Sequence, residues 1–265
     1  MIEPQLIAEL LLLGVCTGFL AGLLGIGGGM LMVPFMAFIL AGKGFPHDLT
    51  VKMAVATSLA TICFTSFSSV IAHHRRGAVL WPVVLRLAPG ILAGSAIGAQ
   101  VAVALPGKIL SVLFAVFVAF AATQMLLDRK PKPHRTLPGT PGMLSMGGVI
   151  GLLSALVGAG GAFVSVPFML WCNIKIHNAV ATSAALGFPI ALAGTLGYLW
   201  AGLDLPQLPP GAVGYIYLPG LLVISLASMC TAPLGARTAH RMDIAPLKRA
   251  FAFVLYALAA YFLFR

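Results

Sequence analysis

Two glycine runs, Gly27–Gly28–Gly29 and Gly160–Gly161, stand inside oily stretches that read LLGIGGGMLMVPFM (23–36) and LVGAGGAFVSVPFM (156–169). Downstream of each comes the string AVATS, at 54–58 and 179–183, which supplies the hydroxyl pairs Thr57–Ser58 and Thr182–Ser183. Glycine and proline are the residues that most weaken a helix, so their use twice in one order marks a wanted interruption. The chemistry open to such a break is recognition of negative charge. A half-helix that begins after the glycines points unpaired N–H groups and a partial positive charge into the gap, and no Cβ stands between backbone and ligand. Hydroxyls add donors without net charge. Pro34 and Pro167 are expected in or just past the first turn of each returning segment, where a missing N–H is best tolerated. The candidate binding residues are therefore Gly27, Gly28, Gly29, Gly160, Gly161, Thr57, Ser58, Thr182 and Ser183. Gly14, Gly18 and Gly22, like Gly90, Gly94 and Gly98, recur instead at spacing four and read as ladders for close helix packing. Thr57, Thr61, Thr65 and Ser68 make a polar stripe that back-bonding to the preceding turn would also explain.

The elements that must hold these residues lie in a membrane. Of 265 residues 60% are hydrophobic and 8% charged, against about 25% charged in a soluble domain, and the mean hydropathy is +1.04. The chain reads as an all-α integral membrane protein built from runs near the ~20 residues that cross a bilayer. A net charge of +10 fits loop lysines and arginines that fix topology; no basic groove with interleaved aromatics supports nucleic acid as a partner. Cys16, Cys63, Cys172 and Cys230 form no CxxC pair, and the histidines show no zinc-like spacing, so no metal or cofactor is expected. None of Glu3, Glu9, Asp48, Asp128, Asp204 and Asp243 falls mid-run, which argues against a cation pump. MIEPQLIAEL lacks a basic n-region and reads as mature protein rather than signal peptide.

The widest polar connection, DRKPKPHRTLPGTPG at 128–142, divides the chain into repeat 1 (1–127) and repeat 2 (143–265). The two glycine stretches share eight of fourteen positions, the AVATS strings match, and Pro89–Gly90 parallels Pro219–Gly220; three matches in one order argue for duplication. Charge decides the orientation of the halves. If each apolar run crosses once, Lys and Arg divide eight to eight. If the 36-residue run 6–41 and its counterpart turn back at the glycines, the division becomes twelve to four, a clear positive-inside bias. Each repeat is then a glycine-broken, re-entrant first helix pair followed by three transmembrane helices. The repeats are inverted, the linker is cytoplasmic, and both termini are outside.

GLLGIGGGMLMVPFM, the repeated AVATS, His73–Gly77 before Trp81 and the Pro-Gly helices resemble the sulfite exporter TauE/SafE family over nearly the whole chain. That resemblance implies a permease of the prokaryotic cytoplasmic (inner) membrane for small sulfur-containing anions, sulfite or organosulfonates. Gly29 is replaced by Ala162 in the second half, a departure from symmetry. The expected function is transport, in the export direction: a cytoplasm-negative potential drives a monoanion outward by ~2.3 kcal/mol per 100 mV, roughly fortyfold. Arg75, Arg76 or Arg86 could join the site, although their loop positions suit topology anchoring. An anion channel or a permease for another small anionic or neutral solute is the alternative. No Ser-His dyad, His cluster or intramembrane carboxylate points to an enzyme.

Overall fold

The 36-residue run at the start of the chain is not one helix. In the computed structural model, which describes residues 4–24, 29–127, 135–203, 205, 208–239 and 245–264, it yields α1 (Pro4–Leu24) and α2 (Gly29–Gly42). Its counterpart yields α6 (Thr140–Val157) and α7 (Ala162–Trp171). Between and after them come α3 (His47–Arg75), α4 (Trp81–Ala104), α5 (Gly107–Leu127), α8 (Ile176–Ala201), α9 (Leu218–Ala239) and α10 (Ala245–Phe264). Each half thus runs as a broken pair followed by three helices. Gly27 and Gly28 lie outside the described residues. Pro34 and Pro167 each stand sixth in their helix, deeper than expected, so each withdraws the usual N–H donor from a carbonyl four residues earlier, that of Met30 or Phe163.

Among the described residues seven helices, α1, α3, α4, α5, α6, α8 and α9, are long and apolar enough to cross a bilayer, while α2, α7 and the apolar part of α10 are shorter. The protein is a multi-span membrane protein. Its side chains sort accordingly. Large apolar groups such as Phe67, Leu85, Val116, Trp200 and Leu226 face outward, while Thr57, Ser58, Ser95, Ser154, Thr182 and Ser183 are buried. In lipid the outside has no need to be polar, and hydroxyls find partners only inside.

Equivalent helices make equivalent contacts, and the main ones cross between halves. α4 packs along α6 as α9 packs along α1, α3 lies against α8, and α5 lies against α10. Glycine sets the two long seams. A Cβ on Gly147 would strike Leu87 O and one on Gly151 would strike Ile91 O; the matching Gly14 and Gly18 face Ile224 and Ser228. From the other side Gly90, Gly94 and Gly98 abut Leu144, Gly148 and Leu152. The ladders are packing devices, as their spacing implies. The seams also correct one sequence match. Gly90 sits mid-helix on the α6 seam whereas Gly220 is third in α9, beside Met36 and Tyr217. The structural counterpart of Pro219 is Pro82, each second in its helix, where proline costs least.

The helix ends gather into two groups. At the start of α3, the buried Lys52 donates to Val103 O (3.0 Å) and pairs with Asp48 (3.2 Å), whose other oxygen takes the Gly107 N–H; Phe45 meets Tyr217 edge-on. Near its far end His74 accepts from Trp81 Nε1 (3.1 Å), Asn178 donates to Ala78 O (3.0 Å), and Arg135 stacks over Trp171. A two-stranded hairpin, β1 (Ala212–Val213) with β2 (Ile216–Tyr217), precedes α9; composition alone gives no sign of it.

The seam makes a direct prediction. Gly94→Val must push into the backbone of Gly148 and is expected to cost about 1–3 kcal/mol, read as a lower unfolding temperature in detergent. Gly42→Val, with open space around it, should leave that temperature unchanged apart from a small propensity term.

Candidate binding site at the helix break

The break between α6 and α7 consists of Gly158, Ala159, Gly160 and Gly161, all buried. Two glycines are required by conformation: Gly158 caps α6 at φ +69° and Gly161 caps α7 at φ +74°, the left-handed region that a Cβ disfavours. Gly158 and Ala159 donate their amides to Ser154 O, which closes the end of α6. The next four amides differ. Gly161 O takes the N–H groups of Val164 (3.1 Å) and Ser165 (2.9 Å), but among the described residues the N–H groups of Gly160, Gly161, Ala162 and Phe163 meet no acceptor, and no side chain caps α7. Buried backbone amides without partners are rare in folded proteins. Four in succession at a helix N-terminus are the donor arrangement that an anion site requires.

Gly160 is the informative glycine. Its φ is negative, so no backbone strain demands glycine there. A Cβ would meet nothing nearer than Ile62 Cγ2 at 3.8 Å, so packing does not demand it either. What the missing Cβ leaves open is the approach to the free amides.

The start of α2, after the first half's glycines, meets this break. A Cβ on Gly29, the first residue of α2, would lie 2.5 Å from Gly158 O and 3.2 Å from Ala159 Cα. Ser58 Oγ donates to the same Gly158 O at 2.8 Å, so α3 ties itself to the opposite half's break. Ser183 Oγ lies 2.7 Å from Ser165 Oγ in the first turns of α7. Ile62, Gly187 and Ile190 wall the gap. Thr57 and Thr182 point elsewhere, and symmetrically. Thr57 Oγ1 accepts the Tyr217 N–H just before α9, and Thr182 Oγ1 accepts the Leu80 N–H just before α4, both at 3.0 Å. Each threonine thus stitches its half to the other half's fourth helix while its own hydroxyl hydrogen stays available.

A profile of the sulfite exporter TauE/SafE family matches residues 10–262. The chain belongs to the sulfite exporter TauE/SafE family. It is 36% identical over 250 residues to a "probable membrane transporter protein" of Haemophilus influenzae, covering 94% of this chain and 95% of that one. Proteins with the same description from Bacillus subtilis (27% identical over 252 residues, 92% and 94% covered) and Methanocaldococcus jannaschii (29% over 238 residues, 86% and 82%) are also similar. This TauE/SafE protein is accordingly a membrane transporter.

Of its sequence-derived candidates, Gly29, Gly160, Gly161 and Ser58 come together at the break, and Ser183 reaches it through Ser165. Thr57 and Thr182 stand at the ends of α9 and α4, and Gly27 and Gly28 fall outside the described residues. Arg75 and Arg76 end α3, while Arg86 lies within α4. Thr61 and Thr65 bond back to Thr57 O and Thr61 O, so the lower part of the hydroxyl stripe on α3 is spent within its own helix. Ser165 is the residue sequence reasoning passed over. It replaces Met32 of the first half, and that departure from the repeat was its signal.

The threonine stitches are testable. Thr57→Val strands the buried Tyr217 amide and is expected to destabilise by about 1–3 kcal/mol. Thr182→Val, whose partner amide is only part-buried, should cost less. Chemical denaturation in detergent measures both, and equal, negligible effects would remove the stitches from the account.

Proposed function

We propose that this protein carries small sulfur-containing oxyanions, sulfite or organosulfonates, across the cytoplasmic membrane, and that the anion is held at the helix break. The observation that carries this reading is the run of four amides from Gly160 to Phe163 at the N-terminus of α7, which meet no acceptor among the described residues; all but Ala162 belong to buried residues. Hydrogen bonds to a charged group contribute about 1.5–3 kcal/mol each, and a helix N-terminus adds up to ~1 kcal/mol at ordinary exposure. Together they can replace the hydration shell of a small anion without a buried arginine or lysine. A site that carries no net charge of its own also releases its cargo more readily than a fixed ion pair would.

The family description favours sulfite as the cargo. The membrane potential favours export, since a negative cytoplasm expels anions without a coupling ion. Two groups of helix ends support inverted repeats. The end of α2 is linked to the Lys52–Asp48–Gly107 group and the end of its counterpart α7 to the Trp81–Asn178–Arg135 group, at opposite ends of α3. On that reading the linker and the second group are cytoplasmic, and both termini face outward. Broken helices meeting between inverted halves are the arrangement from which alternating access is built. The glycine seams join helices of different halves, so the bodies that move are mixed pairs, α1 with α9 and α4 with α6, rather than intact repeats.

Flux of labelled sulfite into proteoliposomes at set membrane potentials tests the function. Saturable uptake with counterflow is expected; weakly saturable flux without counterflow would make the protein a channel. Gly160→Ala tests the place. It should fold as well as the wild type or slightly better, because alanine fits the space and restricts the unfolded chain, while sulfite flux drops at least about tenfold through loss of one amide contact. Wild-type flux in Gly160→Ala would remove the break as the site.

A further inference from the structure

Several buried hydroxyls in this protein satisfy themselves. Thr17, Thr61, Ser66 and Ser111 donate to carbonyls one turn back, as hydroxyls in membrane helices commonly do. Ser154 does not. Its side chain is 1% exposed, and its Oγ meets no hydrogen-bond partner. It stands four residues before the cap Gly158, in the last turn of α6, with its carbonyl already engaged by Gly158 and Ala159. Its Oγ lies 3.0 Å from the point a Cβ on Gly161 would occupy. The orphan hydroxyl is therefore aimed at the residue that caps α7, beside the four unpartnered amides. Gly161 itself puts no side chain between them, since its φ of +74° excludes an ordinary one, and Ile190 Cδ1 and Ile150 Cγ2 border the same point at 2.5 and 3.2 Å.

We infer that Ser154 is a ligand-binding residue: its hydroxyl donates to an oxygen of the bound anion as a further donor beside the amides of Gly160–Phe163. This rests on the proposed oxyanion site and adds to it a residue that neither the glycine motif nor the Thr-Ser pairs contain. It also makes the site asymmetric. The first-half counterpart of Ser154 is Ala21, in register with the shared glycine stretches, so only the second break offers this hydroxyl. A buried hydroxyl left without an acceptor is costly in the empty protein, and an anion oxygen supplies that acceptor on binding. The groups on this side of the gap are backbone N–H donors and a serine hydroxyl, which can donate as well as accept. Such a site favours a ligand that presents bare acceptor oxygens, as a sulfite or sulfonate head does, over one that must donate.

The test is Ser154→Ala in the full-length protein, with labelled sulfite flux in proteoliposomes and unfolding temperature in detergent with and without sulfite. Loss of an unpaired hydroxyl should leave the sulfite-free unfolding temperature equal or higher. The KM for sulfite should rise about tenfold or more, and the upward shift in unfolding temperature caused by sulfite should shrink. A wild-type KM and a wild-type sulfite-induced shift in Ser154→Ala would overturn this assignment while leaving the break as the site. A lower unfolding temperature without sulfite, at unchanged KM, would make Ser154 a structural residue and equally overturn it. Failure of the wild type itself to move or bind sulfite would bring down the underlying oxyanion reading, and this assignment with it.

Discussion

A polypeptide inside a bilayer has to settle every backbone N–H and C=O within the protein, because lipid offers no hydrogen bonds. Most of the described chain obeys that constraint by being helical. Between α6 and α7 lies a four-residue gap where the Gly158 and Ala159 amides close Ser154 O and Ser58 Oγ closes Gly158 O, while among the described residues the amides of Gly160–Phe163 meet no acceptor. That imbalance is the source of the proposed chemistry. A gap with both ends closed would be a kink, whereas one with only its donors exposed suits negative charge.

Holding such a break in place inside the protein requires a rigid surround, and the fold supplies it by exchanging helices between halves. α4 of the first half leans on α6, α9 of the second leans on α1, and glycine brings the backbones within contact along both seams. Thr57 and Thr182 then fix the first turns of α9 and α4 by the same bond made twice. The duplication therefore does more than double the element count. The first half provides walls, Ser58 and Ile62 among them, against which the second half's interruption is held.

Much of this is written in the residue order. The oily composition, the two glycine stretches and the split at 128–142 specify a membrane protein of two similar halves with interrupted first segments, and the spacing of Gly14, Gly18, Gly90, Gly94 and Gly98 specifies close seams. What the order does not specify is which surface a side chain meets. The Thr-Ser pairs look alike as text, but helical geometry turns adjacent residues by about 100°, so Ser58 reaches a break while Thr57 reaches the end of α9. Gly160 and Gly161 also look interchangeable. Their backbone angles separate them, since one needs glycine for its φ and the other does not. The Pro89–Gly90 pair matched Pro219–Gly220 by composition alone, because a two-residue string carries no register.

The central claim is that a small anion sits on the amides at the start of α7. Selenite shares the shape and charge of sulfite and brings selenium, which scatters anomalously. A crystal structure of the protein with selenite bound tests the claim most directly. The account predicts an anomalous peak at the α6–α7 break, with selenite oxygens within ~3.2 Å of the Gly160–Phe163 nitrogens. A peak at Arg75, Arg76 or Arg86 with the break unoccupied, from protein that transports selenite, would contradict it.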